Sequence, residues 1–168
     1  ADNNEEKIKD EKIKDEKIKE KRINEEKKLF YACEKRQLVI AKTMITSGNV
    51  NVNARNTLNE TPLHITILNM PERDYGRRDF IEHQRNHMEK KKNIVSLLLN
   101  ADADVMAVDN ENNTPLHLAS LLGLDEVVEI LVKWLDDHMD EYKGAVVVNE
   151  TNKSGKTPLS LAATAKND

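Results

Sequence analysis

Cysteine, aromatic residues and long apolar runs are scarce in this sequence, and each scarcity excludes a class of protein. Cys33 is the single cysteine among 168 residues, so the chain has no internal disulfide framework and suits a reducing compartment. No apolar run approaches the ~20 residues that a membrane-spanning helix needs, and no signal-peptide core is present. A formal net charge of −4 gives no broad electrostatic basis for binding nucleic acid. We therefore expect an intracellular, cytoplasmic protein without a membrane span.

Sequence patterns that carry catalysis are also absent. The chain has no glycine-rich phosphate loop, no nucleophile elbow and no base placed to activate Cys33. Carboxylates are abundant, but none forms a pair in an otherwise apolar setting. We expect no enzyme activity, no catalytic residue, no cofactor and no small-molecule substrate.

Two local clusters have features of binding sites, and a solvated helix face is the favoured interpretation of both. His83 and His87 stand four residues apart, which places both on one side of a helix at a spacing used by metal ligands. The residues between them do not complete a zinc-protease motif and no third ligand is indicated, so no metal site is expected. The run 90–92 consists of three lysines, but it follows Glu89 and lacks interleaved aromatics, which disfavours binding to nucleic acid or acidic lipid.

One tetrapeptide, T-P-L-H, organises most of the chain. It stands at Thr61–His64 and at Thr114–His117, and it recurs at Thr157–Ser160 with serine in place of histidine. The threonine is suited to cap a helix, the proline fits the first helical position, and the leucine begins an apolar face. Residue types that tolerate a left-handed backbone stand two positions before each threonine. They are Asn59, Asn112 and Gly155.

The repeated unit resembles the ankyrin repeat, in which a turn, a first helix opened by T-P-L-H and a second helix built around I-V-x-x-L-L follow one another. Ile94–Leu99 supplies that second-helix pattern, and the resemblance covers the chain from Leu29 onwards. It implies an all-α solenoid of about three and a half repeats. The motif copies begin 53 and 43 residues apart, against about 33 in the family, so two insertions are expected.

The insertions divide the chain into unequal repeats. We expect repeats at about 29–52, at 53–105 with an insertion at 70–92, at 106–148, and a partial one at 149–168. Much of the insertion should extend a second helix towards its N-terminus. The second helix of the third repeat should run on through Met139 and Tyr142. Because Asp102 and Asn112 replace family glycines, both should have positive φ.

Residues 1–28 form a charged, low-complexity segment built on a repeated E-K-I-K-D unit. Its isoleucines recur every five residues, which separates successive side chains by about 140° on a helix and makes no single apolar stripe. We interpret the segment as a charged N-terminal helix or spacer exposed to solvent, with a docking arm for a partner as the alternative. A short helix containing Leu29, Tyr31, Ala32 and Cys33 should follow it.

The ankyrin resemblance also implies where a partner would bind, because the family varies its residues around the turns and at the ends of the first helices. Carried over by motif, these positions are Arg55, Thr57, Leu58, Val108, Asn110, Glu111, Leu121, Leu122, Thr151 and Lys153. Arg77 and Arg78 of the insertion complete the predicted partner surface. Four of these residues are apolar where only a partner would bury them. The alternative is that insertion 70–92 folds back over them.

The function implied is a protein–protein interaction module that binds a protein of unknown identity through a concave surface and the insertion. The alternative is a targeting or accessory domain of a larger enzyme, or of a secreted effector of an intracellular microbe delivered into a host cell. A bias towards lysine, isoleucine and asparagine suggests an AT-rich genome. Nucleic-acid binding is the weakest of the three hypotheses.

Overall fold

Helices are the regular elements of this protein, whose computed structural model describes residues 2–69, 80–138, 140 and 146–165. They are α1 (Asp2–Glu34), α2 (Leu38–Thr46), α3 (Pro62–Leu68), α4 (Phe80–Asn100), α5 (Pro115–Leu121), α6 (Asp125–His138), a single turn α7 at 146–149, and α8 (Pro158–Ala165). The predicted all-α class is confirmed. None of the helices that the structure describes is both long enough and apolar enough to cross a membrane.

The helices are stacked in two rows. The first row contains α1, α3, α5 and α8, each in contact with the next, and the second row contains α2, α4 and α6. Each second-row helix also packs on its first-row partner. Neighbouring repeats therefore bury one continuous core between the two rows, which is the predicted solenoid arrangement.

Helix α1 is much longer than the short helix predicted to begin at Leu29. It runs without a break from Asp2 to Glu34, because the segment has no glycine or proline and is rich in lysine and glutamate, which favour helix. Residues 6–24 are exposed, and the four isoleucines among them are 43–66% exposed. Leu29 is the first fully buried residue of this helix. The N-terminal segment is thus continuous with the first helix of the stack.

The turns have the backbone geometry that the sequence register predicts. Asp102 and Asn112 have φ of 61° and 57°, which confirms that they occupy positions requiring a left-handed backbone. Asn59 and Gly155 stand where Asn112 does, two residues before the threonine of the other two motif copies, and have φ of 61° and 67°. Asparagine and aspartate tolerate this conformation better than other side chains, so the turns form without glycine at three of these places.

Insertion 70–92 contributes a helical extension to the second row. Helix α4 begins at Phe80, so positions 80–92 lengthen the second helix of that repeat towards its N-terminus, as predicted. This extension belongs to a helix that contacts α2, α3 and α6. Positions 70–79, including Arg77 and Arg78, lie outside the described residues.

The extension of α6 through Met139 and Tyr142 stays a prediction. The helix ends at His138, and Asp140 is not helical, while Met139 and Tyr142 themselves are outside the described residues. Asp136 and Asp137 place two negative charges at the negative end of the helix dipole, which opposes continuation. The His138 ring donates from Nδ1 to the Trp134 carbonyl at 3.0 Å and stacks on the Trp134 ring.

The core contains the residues assigned to it from the sequence. Leu116 is 3% exposed and Leu131 is fully buried. Cys33 is also fully buried, as predicted, and desolvation raises the pKa of its thiol to about 11. The thiol therefore stays protonated at neutral pH and packs as a small apolar side chain.

Lys91 of α4 is an unusual member of this core, with an exposed fraction of 2%. Its Nζ donates to the Ile67 carbonyl at 2.7 Å, an acceptor in the last turn of α3 that lacks a helical partner. Desolvation, together with the smaller effect of the nearby Arg36 charge, lowers the pKa of Lys91 from 10.5 to about 8. The amine thus links the two rows at an energetic cost when it is protonated.

We expect Leu116→Ala and Leu131→Ala each to lower the free energy of unfolding by ~2–5 kcal/mol, because both leave a cavity in a shared core. Urea denaturation followed by circular dichroism measures this loss. Leu159→Ala is the matched control, since Leu159 is 78% exposed and its truncation should change stability by less than ~0.5 kcal/mol. Equal midpoints for the core variants and the wild type would contradict the burial of these leucines.

The Lys91 pKa predicts a specific pH dependence of stability. Between about pH 8 and 10.5 the unfolded state keeps the Lys91 proton that the folded state has released, so the free energy of unfolding rises with pH. Lys91→Met should abolish this rise, whereas Lys90→Met, at a less buried neighbouring position, should retain it. The measurement is urea unfolding across that window. A rise of the same size in Lys91→Met and wild type would show that Lys91 is not its source.

Candidate functional site

The first-row helices α3 and α5 begin with the same pair of reciprocal hydrogen bonds. The Thr61 hydroxyl accepts from the His64 backbone N–H, and His64 Nδ1 accepts from the Thr61 backbone N–H at 3.3 Å. Thr114 and His117 repeat the arrangement, with the second bond at 3.2 Å. Both histidines are fully buried. Their predicted local, structural role is confirmed.

The same histidines connect each repeat to the next. Because Nδ1 accepts a hydrogen bond from the backbone N–H, the ring carries its proton on Nε2 and can donate there. His64 Nε2 lies 3.0 Å from the Asn113 carbonyl, and His117 Nε2 lies 3.0 Å from the Glu150 carbonyl. Burial lowers the pKa of His64, which keeps its ring neutral. Each helix start is therefore tied to the turn of the following repeat.

Three turns of one design precede the T-P-L-H copies, at 56–59, 109–112 and 152–155. Each is closed by a bond from its fourth N–H to its first carbonyl, with lengths of 3.0, 3.1 and 2.9 Å. In each, the first side chain also accepts from the third N–H, at 2.9, 2.8 and 3.0 Å. The side chains that do this are Asn56, Asp109 and Asn152. The three turns therefore present their backbones in the same way.

Backbone hydrogen bonds join these turns into what we call the turn ladder. Asn110 N–H donates to the Leu58 carbonyl at 3.0 Å. Lys153 N–H donates to the Glu111 carbonyl, also at 3.0 Å. The second residue of one turn thus donates to the third residue of the preceding turn. Five predicted partner-binding positions lie in the turns of this ladder, and three more lie directly beside them.

Arg55 and Val108 strengthen the ladder from its side. Arg55 Nη1 donates to the Val108 carbonyl at 2.6 Å and to the Asn59 carbonyl at 2.8 Å. The Asn59 side chain donates to the same Val108 carbonyl at 3.3 Å. These two predicted contact residues are therefore also part of the frame, and Val108 itself is half-buried.

The leucines predicted at the end of α5 differ in their accessibility. Leu121 is 45% exposed, and its helix packs against α3, α8 and α6, so the exposed side faces away from the second row. Leu122 is half-buried and packs against the core. Leu58, at a turn tip, is 56% exposed. Leu58 and Leu121 are thus accessible, whereas Leu122 mainly supports the fold.

The remaining predicted residues for which a structure is given are exposed. They are Thr57, Asn110, Glu111, Thr151 and Lys153. Together with Leu58, Leu121 and the exposed sides of the first-row helices, they form what we call the inner surface. The turn tips lie at the N-terminal ends of the first-row helices, whereas Leu121 lies at the C-terminal end of α5. The inner surface is therefore extended and does not form a single compact pocket.

A groove of about 540 Å³ lies between α1 and the first turn of the ladder, and sequence reasoning did not find its helical wall. Its lining residues are Ile23, Glu26, Lys27, Phe30, Tyr31, Glu34, Arg55, Asn56 and Thr57. Tyr31 is 54% exposed and Ile23 is 43% exposed. A signal was available, because α1 turns Leu29, Ala32 and Cys33 towards the core and cannot also bury the adjacent Phe30 and Tyr31.

His83 and His87 do share one side of α4, with ring centroids 4.1 Å apart. Desolvation lowers the pKa of His87, and the positive charge of Arg36 acts in the same direction. Across the residues that the structure describes, no group of three or more potential metal-ligating side chains comes together. The pair therefore gives no complete coordination sphere in this part of the chain.

Comparison with known proteins agrees with this architecture. A family model described as ankyrin repeats (3 copies) matches residues 87–168. The nuclear factor NF-kappa-B p105 subunit of Rattus norvegicus is 28% identical over 129 residues, which cover 75% of this chain and 10% of that protein. The p105 subunit of Gallus gallus is 26% identical over 114 residues, covering 68% of this chain and 9% of the relative.

A bacterial relative has a higher identity over a shorter stretch. The putative ankyrin repeat protein YahD of Escherichia coli strain K12 is 33% identical over 102 residues, covering 60% of this chain and 43% of its own length. The chain thus spans about a tenth of the p105 relatives and less than half of YahD.

Thr114→Ala should lower the free energy of unfolding by about 1 kcal/mol, because it removes the hydroxyl that caps α5. Thermal and urea unfolding measure the loss. Thr151→Ala is the control, since Thr151 is exposed and caps no helix in the structure. If both substitutions had the same small effect, the cap at Thr114 would not contribute to stability.

Proposed function

Because the chain belongs to the ankyrin repeat family, we propose that it is a protein–protein interaction module whose partner binds across the inner surface. Ankyrin repeats are generally protein–protein interaction modules. The observation that carries the proposal for this chain is the exposure of Leu58 and Leu121 on a frame whose backbone is already fixed by hydrogen bonds. Exposed apolar side chains held in place lose little conformational entropy when a partner covers them.

The inner surface offers separate roles to its residues. Leu58 and Leu121 supply the apolar contacts in which interface energy usually concentrates. Polar side chains around them supply the rim, namely Arg55, Thr57, Asn110, Glu111, Thr151 and Lys153. Val108 and Leu122 act from beneath, Val108 through its carbonyl and Leu122 by packing on the core. Arg77 and Arg78 add positive charge from the insertion in this proposal.

The relatives support a second proposal, in which this module serves a longer protein as its targeting or accessory part. Matches to the p105 subunits involve about a tenth of those proteins. In that case the inner surface would bring an enzyme or a secreted effector to its target, and the site of action would be intracellular and cytoplasmic. The length of the native open reading frame distinguishes the two proposals, because the second requires an additional domain.

We expect Leu58→Asp combined with Leu121→Asp to abolish partner binding while leaving the fold intact, since both side chains are about half exposed. The partner is first captured from cell lysate by crosslinking at the inner surface, and the purified partner is then titrated against each variant by calorimetry. Circular dichroism and the melting temperature report on folding.

Val39→Asp is the matched control for this experiment. Val39 is 78% exposed on α2, in the second row, so the same change in charge occurs away from the inner surface. It should leave the affinity unchanged. Wild-type affinity in the double leucine variant would exclude the inner surface as the binding site and direct attention to the second row or to α1.

A further inference from the structure

The turn ladder has an open edge at its N-terminal side. Asn110 and Lys153 each donate a backbone N–H to the preceding turn. The equivalent donor of the first turn is Thr57, which is exposed. Within residues 2–69, 80–138 and 146–165, no preceding turn supplies an acceptor for the Thr57 N–H.

The direction of this unused donor follows from the identity of the three turns. All three share the same closing bond and the same side-chain bond to the third N–H. Their second N–H groups therefore point the same way, towards the side on which a preceding turn would stand. At the first turn that side faces α1, since Thr57 lines the groove between the turn and this helix.

The groove has the size and lining to hold an apolar side chain next to this donor. Its volume of about 540 Å³ falls in the range of ligand pockets, and Ile23, Phe30 and Tyr31 form its helical wall. The lining carries no net formal charge, because it contains two acidic side chains, Glu26 and Glu34, and two basic ones, Lys27 and Arg55. Arg55 is already hydrogen-bonded to two carbonyls. The lining thus favours an uncharged group.

We propose that an extended peptide segment of the partner adds to the open edge of the turn ladder, with one backbone carbonyl accepting from Thr57 N–H and one large apolar side chain between Ile23, Phe30 and Tyr31. This inference rests on the proposed protein-binding function and specifies how one end of the surface is used. The bond reproduces the one that Leu58 already accepts from Asn110. Addition of an extended segment to an open backbone edge is an established way for proteins to recognise peptides.

Thr57→Pro removes the donor while preserving the turn. Thr57 is the second residue of a four-residue turn closed by the bond from Asn59 N–H to the Asn56 carbonyl, and proline is favoured at that position. Thr57→Ala is the matched control, because it changes the side chain but keeps the N–H. Asn110→Pro removes the equivalent bond inside the chain, from Asn110 N–H to the Leu58 carbonyl. It should lower the free energy of unfolding, and the size of that loss measures what such a bond contributes.

The probe is a displayed library of short random peptides selected on the full chain, from which enriched sequences are synthesised with capped ends. We expect enrichment of peptides with a large apolar residue flanked by uncharged residues. Thr57→Pro should bind these peptides about fivefold more weakly than Thr57→Ala, which isolates the contribution of the N–H donor, and Tyr31→Asp should weaken binding about tenfold or more. Amide hydrogen exchange by NMR should show new protection of Thr57 N–H in the complex.

Several results would overturn the inference. They are equal affinity of the peptides for Thr57→Pro and wild type, no enrichment over a parallel selection on Tyr31→Asp, or a bound peptide that is helical by NMR. Self-association through α1 that occupies the groove, measured by analytical ultracentrifugation, would also overturn it. The native partner separates this failure from failure of the general function. If the native partner no longer binds the double leucine variant but binds Thr57→Pro as it binds wild type, the inner surface is the binding site and only the proposed peptide addition at Thr57 is rejected.

Discussion

The stack depends on a neutral, buried histidine that makes hydrogen bonds in two directions. Its Nδ1 accepts from the threonine that begins the helix, and its Nε2 donates to the turn of the next repeat. A buried polar group is tolerated only when its hydrogen bonds are made, so the ring fixes the helix start and the following turn together. Replacing one side chain would release both. At these two junctions one imidazole ring thus bridges the start of a helix and the backbone of the next repeat.

This arrangement also explains how a short solenoid can offer a defined surface to the proposed protein partner. Backbone bonds between turns, together with the Arg55 bonds to Val108 and Asn59, hold the ladder before any partner arrives. The apolar side chains exposed on it are few, and they are separated by the length of a helix. A partner therefore meets a rigid, extended surface and loses little free energy in ordering it.

The sequence predicted those parts of the fold in which a single residue type has one structural meaning. The threonine-proline pairs located helix starts, and Asp102 and Asn112 at glycine positions predicted a left-handed backbone correctly. Helix ends without such signals were harder to predict. No glycine or proline separates residues 1–28 from Leu29, and the structure has one continuous helix, α1, where a separate short helix was expected. The groove beside Tyr31 was missed because it arises between elements that are distant in sequence.

Helix α1 rigidly connects a segment buried in the stack to a long segment exposed to solvent. Its embedded end, from Leu29 to Glu34, is held by α2 and α3, while residues 6–24 are exposed. At a rise of 1.5 Å per residue the exposed part spans about 30 Å. A small rotation of the embedded end therefore moves the exposed end through a distance several times larger, and a force on the exposed end acts as a torque on the groove wall. The position of this arm and the width of the groove are coupled through one continuous helix.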